Sequence, residues 1–242
     1  MHRCLNCENK FSGRFCNNCG QKSNTHRFSV GHVLHELPHQ IFHLDKGIFR
    51  NIASILHPRQ TVTDYLSGRR VSYFNPLLFY FLTLGLILFL ESVLGTQAEI
   101  MMDVGFETGK DEYFKYDASA WFMKNIKFIY FGFSFLIAFP NYLLFKETRF
   151  NYAEQVIAST FILGYVNIGY LLFIFFPFID GYPVNYAAAA LFLLFTGLIY
   201  YRGKLWLTAL KTVFSLVVNC MVILLTVLVL WFINAVVHSI FG

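Results

Sequence analysis

Charge is scarce in this sequence. Only 14% of its 242 residues are Asp, Glu, Lys or Arg, against about 25% in a soluble domain of ordinary composition, and the deficit points to a bilayer. Acids are rarer still inside the long apolar stretches, where Glu91 alone occurs. A proton-coupled transporter is therefore poorly supported, because such pathways are marked by ionisable groups within the membrane. No glycine-rich phosphate loop, nucleophile elbow or inverted repeat is present, so the motifs of the usual nucleotide-binding, hydrolase and transporter folds are missing. The N-terminus, "MHRCLNCENK", is polar and lacks an apolar h-region, so a cleaved secretory signal is not expected.

Apolar and aromatic residues fill the space that charge leaves, at 56% and 19% of the chain. A hydrocarbon core takes about 20 apolar residues to cross as a helix. Five runs approach that length: 76–94, 128–145, 156–178, 185–201 and 212–237. The fold expected is an all-α integral membrane protein of about five transmembrane helices over 76–242. Ahead of it lie a small cysteine-bearing module in 1–22 and basic juxtamembrane helices in 23–75. Pro140-Asn141 interrupts the second run and predicts a kink there, while Asn141, Asn167 and Asn219 are expected to hydrogen-bond between helices.

Orientation follows from the loops. Residues 1–75 hold ten Lys/Arg against four Asp/Glu, a net of +6. Lys146 and Arg149 fall in one short loop, and Arg202, Lys204 and Lys211 in another. Gly95 to Lys127 instead carries six acids against four lysines, and "IDGYPV" has no cation. Positive charge stays on the cytoplasmic side, so the N-terminus is expected inside and the C-terminus outside a bacterial inner membrane.

Four of the five cysteines form "CLNCENKFSGRFCNNCG", two CxxC pairs separated by eight residues. Each pair can grip one side of a tetrahedral ion from a tight turn, and Cys4, Cys7, Cys16 and Cys19 together would close a four-thiolate zinc site. Two disulfides fit a reducing compartment poorly, and an iron–sulfur cluster is the remaining alternative. Twenty residues cannot bury a core, so the metal would supply most of this module's folding energy. Without an open coordination position, one zinc per chain is expected to be structural. Cys220 lies in the last apolar run, where a small packing residue is the default.

Between this ribbon and the first run stand "HRFSVGHVLHEL", "HLDKGIFRNIASILHP" and "DYLSGRRVSYFNP". Together with "FCNNCGQK", this order resembles a bacterial family of small zinc-ribbon membrane proteins catalogued as a domain of unknown function. The resemblance implies a layout of ribbon, basic linker and spans, and it implies no activity. The residues themselves say more. Ile41, Leu44, Ile48, Ile52 and Ile55 recur at helical spacing, widened by Phe42, Phe49 and Leu56. That stripe suits the inner leaflet and the underside of a helix bundle equally well. His57-Pro58 should end this helix, with Pro58 opening a second one through Ser67 and Gly68 following as its cap. Arg50, Arg59, Arg69 and Arg70 are the candidate lipid or partner surface.

Within the linker, "HVLHELPHQIFH" holds four histidines. His32, His39 and His43 fall within about 40° on a helical wheel, with His35 some 40° beyond. His35-Glu36-Leu37-Pro38-His39 has the letters of an HExxH zinc motif. That motif needs both histidines on one regular helix, and Pro38 takes a backbone donor out of that turn. His35 and His43 would stand about 12 Å apart along a helix, too far to share an ion, which leaves His39/His43 as the better pair.

Two functions follow. The favoured one is non-enzymatic: the ribbon and basic helices dock a protein partner or anionic lipid, or the chain self-associates. The alternative is a membrane metalloenzyme, a lipid or peptide hydrolase, using His35, Glu36 and His39 with His43 nearby. A channel or transporter is a third reading. A tiny ribbon tethered to a bilayer argues against nucleic acid as a partner.

Overall fold

The computed structural model describes residues 2–25, 27–31, 47–94, 132, 134–174 and 181–241. It is mostly helical. Two short strands, β1 (His2–Arg3) and β2 (Lys10–Phe11), pair antiparallel with His2 opposite Phe11. Seven helices follow among the described residues: α1 (Gly47–Ala53), α2 (Pro58–Leu66), α3 (Pro76–Leu94), α4 (Ser134–Leu144), α5 (Tyr152–Ile174), α6 (Gly181–Tyr200) and α7 (Leu205–Phe241).

Local chemistry sets most helix ends. α1 tightens into a 3₁₀ turn at Ser54–Leu56 and stops at His57, and Pro58 opens α2 in its first turn. Gly68 follows α2 in a left-handed conformation, φ +106°. Asn75 starts α3: its Oδ1 accepts the N–H groups of Leu77 (2.9 Å) and Leu78 (3.3 Å), satisfying donors that the first turn leaves over. Pro76 lacks an N–H to satisfy. Asn151 and Glu154 form a reciprocal cap on α5. Asn151 Oδ1 accepts the Glu154 N–H, and Glu154 Oε2 accepts the Asn151 N–H, each at 2.9 Å. α4 runs on through Pro140 to Leu144.

α3, α5, α6 and α7 pack in chain order, with α2 lying across α5 and α6. Rings fill the centre. Tyr165 of α5 meets Phe79 of α3 at 6.2 Å, Phe161 at 6.0 Å and Phe195 of α6 at 5.3 Å. Small residues let the helices approach: a Cβ on Gly164 would stand 2.5 Å from Phe79 Cδ1.

Among the described residues, two helices are long and apolar enough to cross a membrane, Tyr152–Leu172 within α5 and Leu205–Thr226 within α7. The other expected runs appear as shorter apolar helices, Pro76–Leu90, Ser134–Leu144 and Ala187–Tyr200. Boundaries move as well. α5 begins at Tyr152 rather than Val156, because the Asn151 cap adds a turn, and α7 begins at Leu205, seven residues before the expected run.

Candidate metal centre

The ribbon is built from two copies of one turn. Glu8 N–H donates to Cys4 O (3.0 Å) and Cys4 N–H to Asn9 O (2.9 Å); twelve residues on, Gly20 N–H donates to Cys16 O and Cys16 N–H to Gln21 O, both at 2.8 Å. Glu8 and Gly20 hold the same place in each turn and share positive φ, 63° and 76°. Glycine takes that conformation without the penalty glutamate incurs. The pairing of β1 with β2 places Arg3 opposite Lys10, and its counterpart is a bridge between Phe15 and Lys22. The written signal for this repeat is "CLNCENK" followed by "CNNCGQK".

Two such turns face each other and bring their four sulfurs together. All four Sγ atoms lie within 4.8 Å of one another, with Cys4 to Cys19 at 3.5 Å and Cys7 to Cys16 at 3.6 Å. Four sulfurs each 2.3 Å from a central ion form a tetrahedron with edges of about 3.8 Å. The set therefore fits a four-coordinate ion, and each closest pair takes one cysteine from each turn. All four thiols are free.

The electrostatics point the same way. Burial lifts the Cys16 thiol, but backbone donation from Cys19 and Asn18, with the Cys7 and Cys4 thiols, outweighs it and brings it down to about 6. The Cys7 thiol is also lowered, first by backbone donation from Asn9 and then by the Asn18 side chain. Cys19 is pushed up to about 12, first by burial and further by the three neighbouring thiols. One proton leaves easily and another is held, at Cys19 first because burial disfavours its charged form and then because the neighbouring thiols oppose it. A divalent cation at the centre would remove that conflict.

Polar contacts fix the ribbon to the helices. Gln21 is buried, and its Oε1 accepts the N–H groups of Arg70 and Val71, each at 3.2 Å. Ser72 donates to Asn6 Oδ1 at 2.9 Å. Farther on, Arg27 donates from Nε (2.8 Å) and Nη2 (2.6 Å) to the two oxygens of Glu154, and from Nη2 to Arg149 O. Glu154 is buried, and its hydrogen bonds and charge raise the Arg27 guanidinium above its ordinary value. Phe28 lies buried between Tyr65, stacked at 5.7 Å, and the Arg70 guanidinium 3.7 Å above its ring.

The candidate surface arginines are used separately. Arg70 is turned onto Phe28, Arg50 onto the Tyr73 ring at 5.0 Å, and Arg69 pairs with Asp64 at 3.4 Å. Arg59 is exposed at the start of α2, near enough to Arg202 for their like charges to be felt; burial first, then Arg59, lowers the Arg202 guanidinium. His35, Glu36, His39 and His43 lie outside the described residues, as do Ile41 and Leu44.

Sequence reasoning missed Arg27, Glu154, Gln21 and Asn51. Asn51 is fully buried and pairs with Phe74 through both ends of its carboxamide, at 3.0 and 3.2 Å. Only Glu154 left a readable trace, as the last letter of an N-x-x-E capping box.

A family model described as "Protein of unknown function (DUF3667)" matches residues 45–88. That match takes in α1, α2 and most of α3 and stops short of the ribbon cysteines. No curated protein and no solved structure matches the chain.

Proposed function

We propose that this chain is a non-enzymatic, all-α integral membrane protein of about five spans in a bacterial inner membrane. Its N-terminus faces the cytosol and its C-terminus the outside. Cys4, Cys7, Cys16 and Cys19 close on one zinc, which supplies a cross-link that fixes the two turns. The ribbon and the juxtamembrane helices dock anionic lipid or a protein partner at the cytosolic end.

One observation carries this reading. α1 and its 3₁₀ extension use Ile48 and Ile55 against the bundle and leave Phe49 and Leu56 75% and 77% exposed. Exposed Arg59 follows directly, near Arg202. Apolar side chains beside cations suit the boundary between acyl chains and headgroups. Arg149 and Lys204 lie in the loops at this same end, where cytosolic loops collect positive charge. Outward apolar residues along α7, including Leu210, Phe214, Leu225 and Phe232, supply a lipid-facing flank.

Elemental analysis and native mass spectrometry of detergent-purified protein test this together. About one zinc per chain is expected, lost in Cys4→Ser/Cys7→Ser and kept in His35→Ala/His39→Ala. Phosphatidylglycerol should be retained over phosphatidylcholine, and a Phe49→Ser/Leu56→Ser/Arg59→Gln variant should lose that preference. A second metal that leaves with the histidines would favour the metalloenzyme instead.

A further inference from the structure

Arg59 and Arg202 come from distant parts of the chain and converge at one end of the bundle. Arg59 stands exposed in the first turn of α2, whose Pro58, Thr61, Val62 and Tyr65 are buried. α2 lies across α6, and Arg202 follows shortly after α6 ends at Tyr200. The two guanidiniums are close enough for their like charges to act. After partial burial, Arg59 is the largest cause that lowers Arg202 below its ordinary value.

The turn after α6 holds Arg202 in place. Gly203 takes φ +105°, a left-handed conformation that lets α7 begin at Leu205. The Tyr201 hydroxyl donates to Gly203 O at 3.1 Å, and Arg202 Nη1 donates to Tyr201 O at 3.0 Å. A guanidinium has five N–H donors, so most of this fork is left over.

No acid answers the pair. Among the described residues, the Arg59 side chain has no hydrogen-bond or ion-pair partner. Glu147 is the carboxylate whose charge reaches Arg202, and it is paired with Lys211. Two guanidiniums held side by side repel each other, and an anion gripped by both forks removes that repulsion.

Apolar side chains adjoin both arginines in sequence. Leu56 precedes Arg59 and is 77% exposed; Leu205 and Trp206 follow Arg202 and are 74% and 69% exposed. Such side chains add nothing to the binding of a free anion. They suit an amphiphile, whose charged head meets the cations while its chains cover the apolar groups.

We propose that Arg59 and Arg202 form a clamp for the phosphate-monoester headgroup of one lipid. The clamp rests on the reading of this end of the chain as a lipid-docking surface. A phosphate monoester carries a charge of about −1.5 to −2 at neutral pH and three strong acceptor oxygens, enough to engage both forks. A phosphodiester headgroup brings a single charge and fewer free oxygens.

The protein in detergent is offered equimolar phosphatidic acid, phosphatidylglycerol and phosphatidylcholine, and bound lipid is read by native mass spectrometry. Wild type should retain one phosphatidic acid, about fivefold over phosphatidylglycerol, the worth of roughly one further charge at a cationic surface. Arg59→Gln and Arg202→Gln should each abolish that excess. Arg202→Lys, which keeps the charge and loses the fork, should reduce it. Lys204→Gln removes an exposed cation from the same turn and should leave the excess unchanged. An equal loss in Lys204→Gln would mean a diffuse charge effect and would overturn the clamp. Displacement of the lipid by millimolar inorganic phosphate would assign the two arginines to the free anion and overturn the lipid as occupant. Equal retention of phosphatidic acid and phosphatidylglycerol, both above phosphatidylcholine, overturns the clamp and leaves the lipid-docking reading standing. Equal retention of all three overturns both.

Discussion

In the ribbon, the buried side chains among residues 2–25 are Cys4, Phe11, Cys16 and Gln21. In the bundle they are mostly rings and branched aliphatics, with Phe79, Phe161, Ile162 and Tyr165 wholly enclosed. The ribbon thus has four sulfurs where a larger domain has a core, and its order depends on whatever draws those sulfurs together. The bundle depends on shape, on rings meeting across α3, α5 and α6 and on glycines that let backbones approach. One chain therefore contains two modules that should fail under different insults. Gln21, Asn6 and the Arg27–Glu154 pair are what make failure in one felt by the other.

Chelation should separate them most completely. Removing the metal is expected to abolish amide protection at Glu8 and Gly20, whose N–H groups close the two turns, while helical circular dichroism persists. Hydrogen exchange read alongside the far-ultraviolet signal checks this, and a parallel loss of helix would mean that the bundle leans on the ribbon.

Gly164→Leu should do the reverse. Phe79 is fully buried and has no room to yield, so the overpacking should cost about 3 kcal/mol. A thermal melt in detergent should show the loss while the metal content stays unchanged.

The coupling itself can be cut with Glu154→Ala. Loss of the carboxylate's half of the α5 cap, with Asn151 Oδ1 still accepting the N–H of residue 154, should cost about 1 kcal/mol, and Arg27 loses both hydrogen bonds to that carboxylate. Trypsin should then cleave after Arg27 faster than in wild type, with metal retained. Unchanged cleavage would show that Phe28 and Gln21 hold the tail without the ion pair.

The smallest effect concerns the end of the bundle that carries Glu147 and Lys211. The Lys211 hydrogen bond comes first among the causes that lower the Glu147 carboxyl below its ordinary value. A depressed carboxyl stabilises the fold above its unfolded value of about 4.3 and loses that contribution as pH falls through the folded one. Both side chains are partly exposed, 23% and 47%, so the contribution is at most a few tenths of a kcal/mol. The melting difference between wild type and Glu147→Gln should be present at neutral pH and vanish in acid.

What the sequence determined by itself is what short-range chemistry can encode. Two CxxC turns at the right spacing bring four sulfurs to one point, and His57-Pro58 divides the linker helices because proline restricts its neighbour whatever surrounds it. The apolar character of α3 to α7 was equally plain. Tertiary structure decided which of those helices is enclosed: 61% of the spanning window of α5 is buried, against 24% for α7. Both windows are apolar enough to span, at mean hydropathy 1.4 and 2.0, and that test does not distinguish a helix wrapped by neighbours from one with a free flank. Tertiary structure also chose the partners, joining Arg27 to Glu154 across 127 residues and Ser215 to Asn141 across 74. Periodicity reports which way a side chain faces along its own helix, and the group it meets belongs to another part of the chain.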